Sequence, residues 1–101
     1  SMGVSAYAAT KGALESATKS LAKELSKKSI RINTIVCGQV DTEAYRELMT
    51  SKVSEVDEVL NRQYMGLIDA DKIAETCLFL LHSKSNFISG ASFPADGGYL
   101  N

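Results

Sequence analysis

The sequence is poor in the residues that cross-link a chain or ligate metals. Its 101 residues include two cysteines, one histidine and one proline, and 11 basic side chains stand against 12 acidic ones. A structural zinc site takes about four ligands. His82, Cys37 and Cys77 are too few unless carboxylates or a second chain contribute, so no metal is expected. The cysteines show no Cys-x-x-Cys spacing, and each sits in an apolar segment, so both are expected buried and reduced. A net charge of −1 leaves no electrostatic footprint for nucleic acid or an anionic membrane. The longest apolar runs, such as Thr76-Cys77-Leu78-Phe79-Leu80-Leu81, fall far short of the roughly 20 residues that span a bilayer. No basic stretch followed by an apolar one opens the chain, so no signal peptide is expected.

What is present is ordinary for a folded domain. Apolar residues make up 45% and charged residues 23%. Leu, Ile, Val and Phe supply 25 residues, which argues against disorder.

Residues 4–27 read as a long helix rich in Ala, Leu, Lys and Glu, all good helix formers. Leu14, Ala17, Leu21 and Leu25 fall on one face of it. The β-branched run Ile30-Arg31-Ile32-Asn33-Thr34-Ile35-Val36 suits a strand that breaks at Cys37-Gly38. Residues 42–51 and 55–64 suggest two short helices, the second opening on the capping-box-like Ser54-Glu55-Val56-Asp57, with Val56, Val59 and Leu60 on one side. A further helix spans 70–82, with Asp69 as N-cap and Ile73, Cys77, Leu80 and Leu81 as its apolar stripe. A short strand, Ala91-Ser92-Phe93-Pro94, runs into Asp96-Gly97-Gly98. The expectation is two strands and about four helices in an α/β arrangement. The strands are joined by a crossover and should therefore lie parallel. Covered parallel sheets usually contain more than two strands, so the pattern looks like the end of a larger α/β domain.

The most pointed local feature is Tyr7-Ala8-Ala9-Thr10-Lys11. Residues four apart share a helix face, so the phenol and the ammonium can come together. A tyrosine titrates near pH 10, and a neighbouring cation favours its phenolate. A tyrosine tuned in this way can pass a proton to or from a substrate oxygen. By itself the pair is a weak signal, because an aromatic ring at a core edge beside a solvated lysine is common. The small residues between them leave room for a ligand.

Tyr7-Ala8-Ala9-Thr10-Lys11-Gly12-Ala13-Leu14-Glu15 is followed by Ser20-Leu21-Ala22-Lys23-Glu24-Leu25, by Ile30-Arg31-Ile32-Asn33 and by Cys37-Gly38-Gln39-Val40-Asp41-Thr42. The chain closes with Phe87-Ile88-Ser89-Gly90-Ala91-Ser92-Phe93-Pro94-Ala95-Asp96-Gly97-Gly98-Tyr99. In this order the motifs resemble the C-terminal part of a short-chain dehydrogenase/reductase, of the 3-oxoacyl-carrier-protein reductase-like or tropinone reductase-like branch. The resemblance implies the C-terminal portion of a Rossmann-like doubly wound parallel sheet, with residues 1–101 forming about half of one oxidoreductase domain. It implies an NAD or NADP cofactor and interconversion of a small-molecule alcohol and carbonyl. Tyr7 would be the acid/base and Lys11 its partner, with both at the cofactor. Gly38 would let the loop approach the cofactor, while Val40 and Thr42 would contact the nicotinamide carboxamide through backbone and hydroxyl. The family usually has proline where Cys37 stands, which leaves this loop less stiff. Tyr45, Leu48, Met49, Leu60 and Met65 fall where relatives cover substrate, although packing among themselves is the simpler role. Asp96-Gly97-Gly98 would be a structural closing turn. A cytoplasmic homo-oligomer, dimer or tetramer, is also implied.

The resemblance equally implies what these residues do not include. Neither Gly-x-Gly-x-x-Gly nor Gly-x-x-x-Gly-x-Gly occurs, and dinucleotide binding uses such a turn to hold pyrophosphate. Ser1 and Ser5 stand too close to Tyr7 to be the family's catalytic serine. Asn33 lies on the wrong side of the motif to be its relay asparagine. The expectation is one half of a bipartite site, inactive by itself. The alternative is a non-catalytic binding or assembly module that keeps the family's subunit contacts. In either case, exposed helix faces and an open sheet edge should be covered by another copy or by the missing half.

Overall fold

The computed structural model describes residues 4–50 and 61–99. In chain order it shows α1 (Val4–Leu25), a 3-10 turn at Ser26–Lys28, β1 (Thr34–Cys37), β2 (Val40–Asp41), α2 (Glu43–Met49), β3 (Ile68–Asp69), α3 (Ala70–Leu81), a second 3-10 turn at Ser83–Ser85, and β4 (Ser92–Ala95). β1 and β4 are neighbours in one two-stranded sheet. Thr34 N–H donates to Ala91 O at 2.9 Å and Gly38 N–H to Ala95 O at 3.1 Å, so the partners advance together and the pairing is parallel.

The chain divides into two compact units, residues 1–34 with 82–93, and residues 35–81 with 94–101. In the first unit, α1 ends where expected. Ser29 adopts φ 59°, a left-handed stop, with its N–H on Ser26 O at 3.0 Å. The strand expected from Ile30 begins only at Thr34, because residues 31–33 are bonded to side chains and turns instead of a ladder. Ser89 Oγ accepts from Ile32 N–H at 3.2 Å, and Ile32 O accepts from Gly90 N–H at 2.7 Å. Arg31 Nη1 donates to Ile88 O at 3.1 Å. The buried point of α1 is Ala22, beside the expected stripe and not on it. A Cβ added at Gly90 would lie 3.3 Å from that of Ala22, and this closeness sets the packing there. Leu14 and Leu21, which belong to the expected stripe, are exposed.

In the second unit, β2 and β3 pair in parallel, Val40 with Ile68 and Asp41 with Asp69. Neither strand was expected, and the tally of two strands is corrected to four among the described residues. Two-residue strands carry no periodicity to read. Thr42 caps α2, its Oγ1 accepting from Tyr45 N–H at 3.1 Å. Asp69 Oδ1 accepts from Asp71 N–H at 3.0 Å and starts α3 as foreseen. Of the expected helix over 55–64, residues 55–60 lie outside the described residues, as does its cap at 54–57. Residues 61 and 62 are helical, and the chain turns at Gln63.

Along the expected apolar stripe of α3, Leu80 is buried and Ile73 half-buried, whereas Leu81 is 80% exposed. Cys37 and Cys77 are both exposed, which corrects the expectation of buried thiols. The apolar segments around them bury little, so the inference from segment to burial fails. Ala22 and Leu80 are the buried hydrophobic residues among those described, while Phe79 and Phe87 stand open. Among the described residues no helix is long and apolar enough to cross a membrane.

Candidate active site

Tyr7 and Lys11 lie in the first turns of α1, in the first unit. Lys11 Nζ stands over the Tyr7 ring, 5.3 Å from its centroid, so the i, i+4 spacing does bring the two together. Tyr7 is 64% exposed, and Lys11 is exposed beside it. Thr10 turns its hydroxyl back to Tyr7 O at 2.7 Å, a bond within the helix that leaves the outer face to Tyr7 and Lys11. At Gly12 an added Cβ would meet nothing within 4 Å.

Gly38, Val40 and Thr42 belong to the second unit and follow one another along the carboxyl end of β1 and through β2. Gly38 is packed tightly. A Cβ there would strike Gln63 Oε1 and lie 2.9 Å from both Cα and O of Asp96. Thr42 Oγ1 already accepts from Tyr45 N–H, and a hydroxyl in that state still has its own O–H to donate. Asp41, between Val40 and Thr42, pairs with Arg46: Nε reaches Oδ1 at 2.7 Å and Nη2 reaches Oδ2 at 2.9 Å. The hydrogen bonds from the Arg46 guanidinium, aided by its charge, hold the Asp41 carboxyl below the usual carboxylate range. The fork joins the end of β2 to α2 and helps set Thr42 between them.

Of the residues expected near substrate, Leu48 and Met65 are exposed, while Tyr45 and Met49 are half-buried. Leu60 lies outside the described residues. Tyr45 Oη is buried and has no hydrogen-bond partner among the described residues. The closing turn has the structural role foreseen for it. Buried Asp96 accepts from Gly98 N–H at 3.0 Å through Oδ1, and Gly97 and Gly98 adopt φ 61° and 90°.

Sequence reasoning missed Gln63, which is fully buried. Its amide bonds both backbone groups of Gln39 and the carbonyl of Gly66. A lone glutamine between Arg62 and Tyr64 carries no pattern that would reveal this.

Residues 1–100 match the family model described as Enoyl-(Acyl carrier protein) reductase. An uncharacterized short-chain type dehydrogenase/reductase of Sinorhizobium fredii is 35% identical over 98 residues, covering 96% of this chain. This chain belongs to the short-chain dehydrogenase/reductase family. The 3-oxoacyl-(acyl-carrier-protein) reductase of Pseudomonas aeruginosa is 32% identical over 97 residues, 95% of the chain. The structure of a 4-hydroxyisoleucine dehydrogenase complexed with NADH superposes with a TM-score of 0.85 at 31% identity over 94% of the chain. The chain spans only part of each: 18% of the Sinorhizobium protein, 38% of the Pseudomonas reductase and 39% of the dehydrogenase structure. The α/β architecture with parallel strands is that of part of a Rossmann-like domain, as the sequence implied.

Proposed function

We propose that these residues are the C-terminal, proton-transferring half of a Rossmann-like domain in an NAD(P)-dependent oxidoreductase that interconverts an alcohol and a carbonyl. The observation that carries this is the Tyr7–Lys11 pair, with the ammonium over the ring at 5.3 Å on an open helix face. The family membership and the NADH named for one structural neighbour support it.

The residues present fit a nicotinamide cofactor. Gly12 has open space around it, Lys11 offers a donor for ribose hydroxyls, and Thr42 keeps one O–H for a carboxamide oxygen. By the family resemblance, Tyr7 and Lys11 in the first unit, and separately Gly38, Val40 and Thr42 in the second, would contact that group, which supplies or accepts the hydride when bound. In reduction, Tyr7 donates its phenolic proton to the substrate oxygen; in oxidation, its phenolate takes the proton from the alcohol. The exposure of Tyr7 gives its hydroxyl a route to exchange that proton with solvent. The substrate is a small molecule.

A second element of the proposal concerns assembly. Leu14, Leu21, Phe79, Leu81 and Phe87 are exposed, more apolar surface than a lone soluble unit usually leaves open. The remainder of a larger domain or a second copy, as in a homo-oligomer, would cover it.

The test is a folded chimera in which these residues replace the stretch they match in the Pseudomonas reductase. NADH- or NADPH-dependent carbonyl reduction is expected, and it should vanish in Tyr7→Phe while cofactor binding persists. A fully active Tyr7→Phe chimera would overturn the reading.

A further inference from the structure

Gln63 is buried completely, although nothing in the chemistry above calls for a polar side chain there. A buried amide is costly unless its polar atoms are bonded. Here they are. Oε1 accepts from Gln39 N–H at 2.8 Å, while Nε2 donates to Gln39 O at 2.9 Å and to Gly66 O at 2.6 Å. One side chain thus grips both backbone groups of Gln39, as a residue of an adjoining strand would. Gln39 O also accepts from Ile68 N–H at 3.1 Å, at the start of β3. The backbone between β1 and β2 has no spare hydrogen-bonding group at Gln39 with which to shift.

The surroundings leave this amide little freedom. A Cβ at Gly38 would collide with Gln63 Oε1, and one at Gly97 would lie 2.7 Å from Gln63 Cγ. Met65 N–H donates to Gly97 O at 3.1 Å, closing the Gln63–Gly66 turn onto the Asp96–Gly98 turn. The segments at 38–39, 63–66 and 96–98 therefore meet around one side chain.

We propose that Gln63 is a positioning residue for the cofactor: its side-chain amide fixes the Gly38–Val40 backbone that meets the nicotinamide. This rests on the function proposed above. The place demands an acceptor and a twofold donor at one tip. Glutamine supplies both, glutamate supplies the acceptor alone when ionised, and leucine supplies neither.

The test uses the folded chimera with Gln63→Leu and the near-isosteric Gln63→Glu, reading steady-state kinetics beside amide hydrogen exchange at Gln39. At about pH 8, where a carboxyl is ionised, both variants should raise the cofactor KM roughly tenfold while kcat stays within about twofold. Gln39 exchange should quicken in the same variants. Near pH 5, Gln63→Glu should recover much of its cofactor affinity relative to the parent, because burial favours the protonated carboxyl and protonation restores a donor. Gln63→Leu should not recover. An unchanged KM in both variants, a fall in kcat at constant KM, or rapid Gln39 exchange in the parent would overturn the proposal. A folded parent chimera without cofactor-dependent turnover would overturn the assigned function and the cofactor role with it. Gln39 exchange would then decide by itself whether Gln63 holds this backbone.

Discussion

The Asn33 side chain bonds Ala91 as a strand neighbour would: Oδ1 accepts from Ala91 N–H at 3.1 Å while Nδ2 donates to Ile88 O at 3.0 Å. It ties the approach to β1 to the turn before β4. Asn33→Leu would leave the half-buried Ala91 N–H unpaired and remove one of the two donors to Ile88 O, the other being Arg31 Nη1. A loss of about 1–3 kcal/mol is expected in urea unfolding of the folded chimera. A loss below a few tenths would show that solvent replaces both bonds.

Glycines in α1 and in the turn before β4 should respond in opposite directions. Gly12 lies in a helix with open space around it, so Gly12→Ala should stabilise by about 0.5–1 kcal/mol. Gly90 has φ 74° and meets Ala22 Cβ, so Gly90→Ala should destabilise by at least about 1 kcal/mol. Paired thermal melts of the two variants in the chimera check the sign.

The Asp41–Arg46 fork makes a prediction about acid. Hydrogen bonding to Arg46 lowers the Asp41 carboxyl in the folded state. Its contribution is therefore present above the unfolded carboxyl value, about 3.9, and is lost as pH falls through the lower folded value. The pair is exposed, so the effect should be small and weakened by salt. Comparing Asp41→Asn with the parent in acid melts at low and high salt tests this. The gap should close as the pH falls below about 4, and a gap that persists unchanged at low pH would exclude the ion pair as its source.

A polypeptide of these 101 residues should bind neither NADH nor NADPH saturably at micromolar concentration, because its sequence contains no glycine-rich pyrophosphate turn. Nicotinamide fluorescence titration reads this directly. A saturable micromolar isotherm would show that the residues around Tyr7, Lys11 and Thr42 suffice.

What the sequence made legible follows physical scale. α1 could be read because Ala, Leu, Lys and Glu make up 14 of its 22 residues and add up small propensities in one direction. Asp69 acts over a single turn, and its capping chemistry needs nothing distant. The start of β1 was misplaced because β-branched Ile30 and Ile32 suit a strand equally well whether or not a ladder partner reaches them. Asn33 and Ser89 decided it, through contacts more than fifty residues apart. Gln63 was invisible for the same reason, since its role exists only once Gln39 and Gly66 are folded against it. The thiols were misjudged because apolar neighbours in sequence do not guarantee cover in space. In the candidate site, helical spacing alone was enough to pair Tyr7 with Lys11. Their joint use with Gly38, Val40 and Thr42 remains the proposal.

The most direct measurement is the rate of cofactor-dependent carbonyl reduction by the folded chimera, with Tyr7 and with Tyr7→Phe, at saturating NADH or NADPH. Loss of the phenolic proton donor should lower kcat by roughly a hundred- to ten-thousand-fold while the cofactor dissociation constant changes little. Retention of kcat within about twofold would contradict proton transfer by Tyr7.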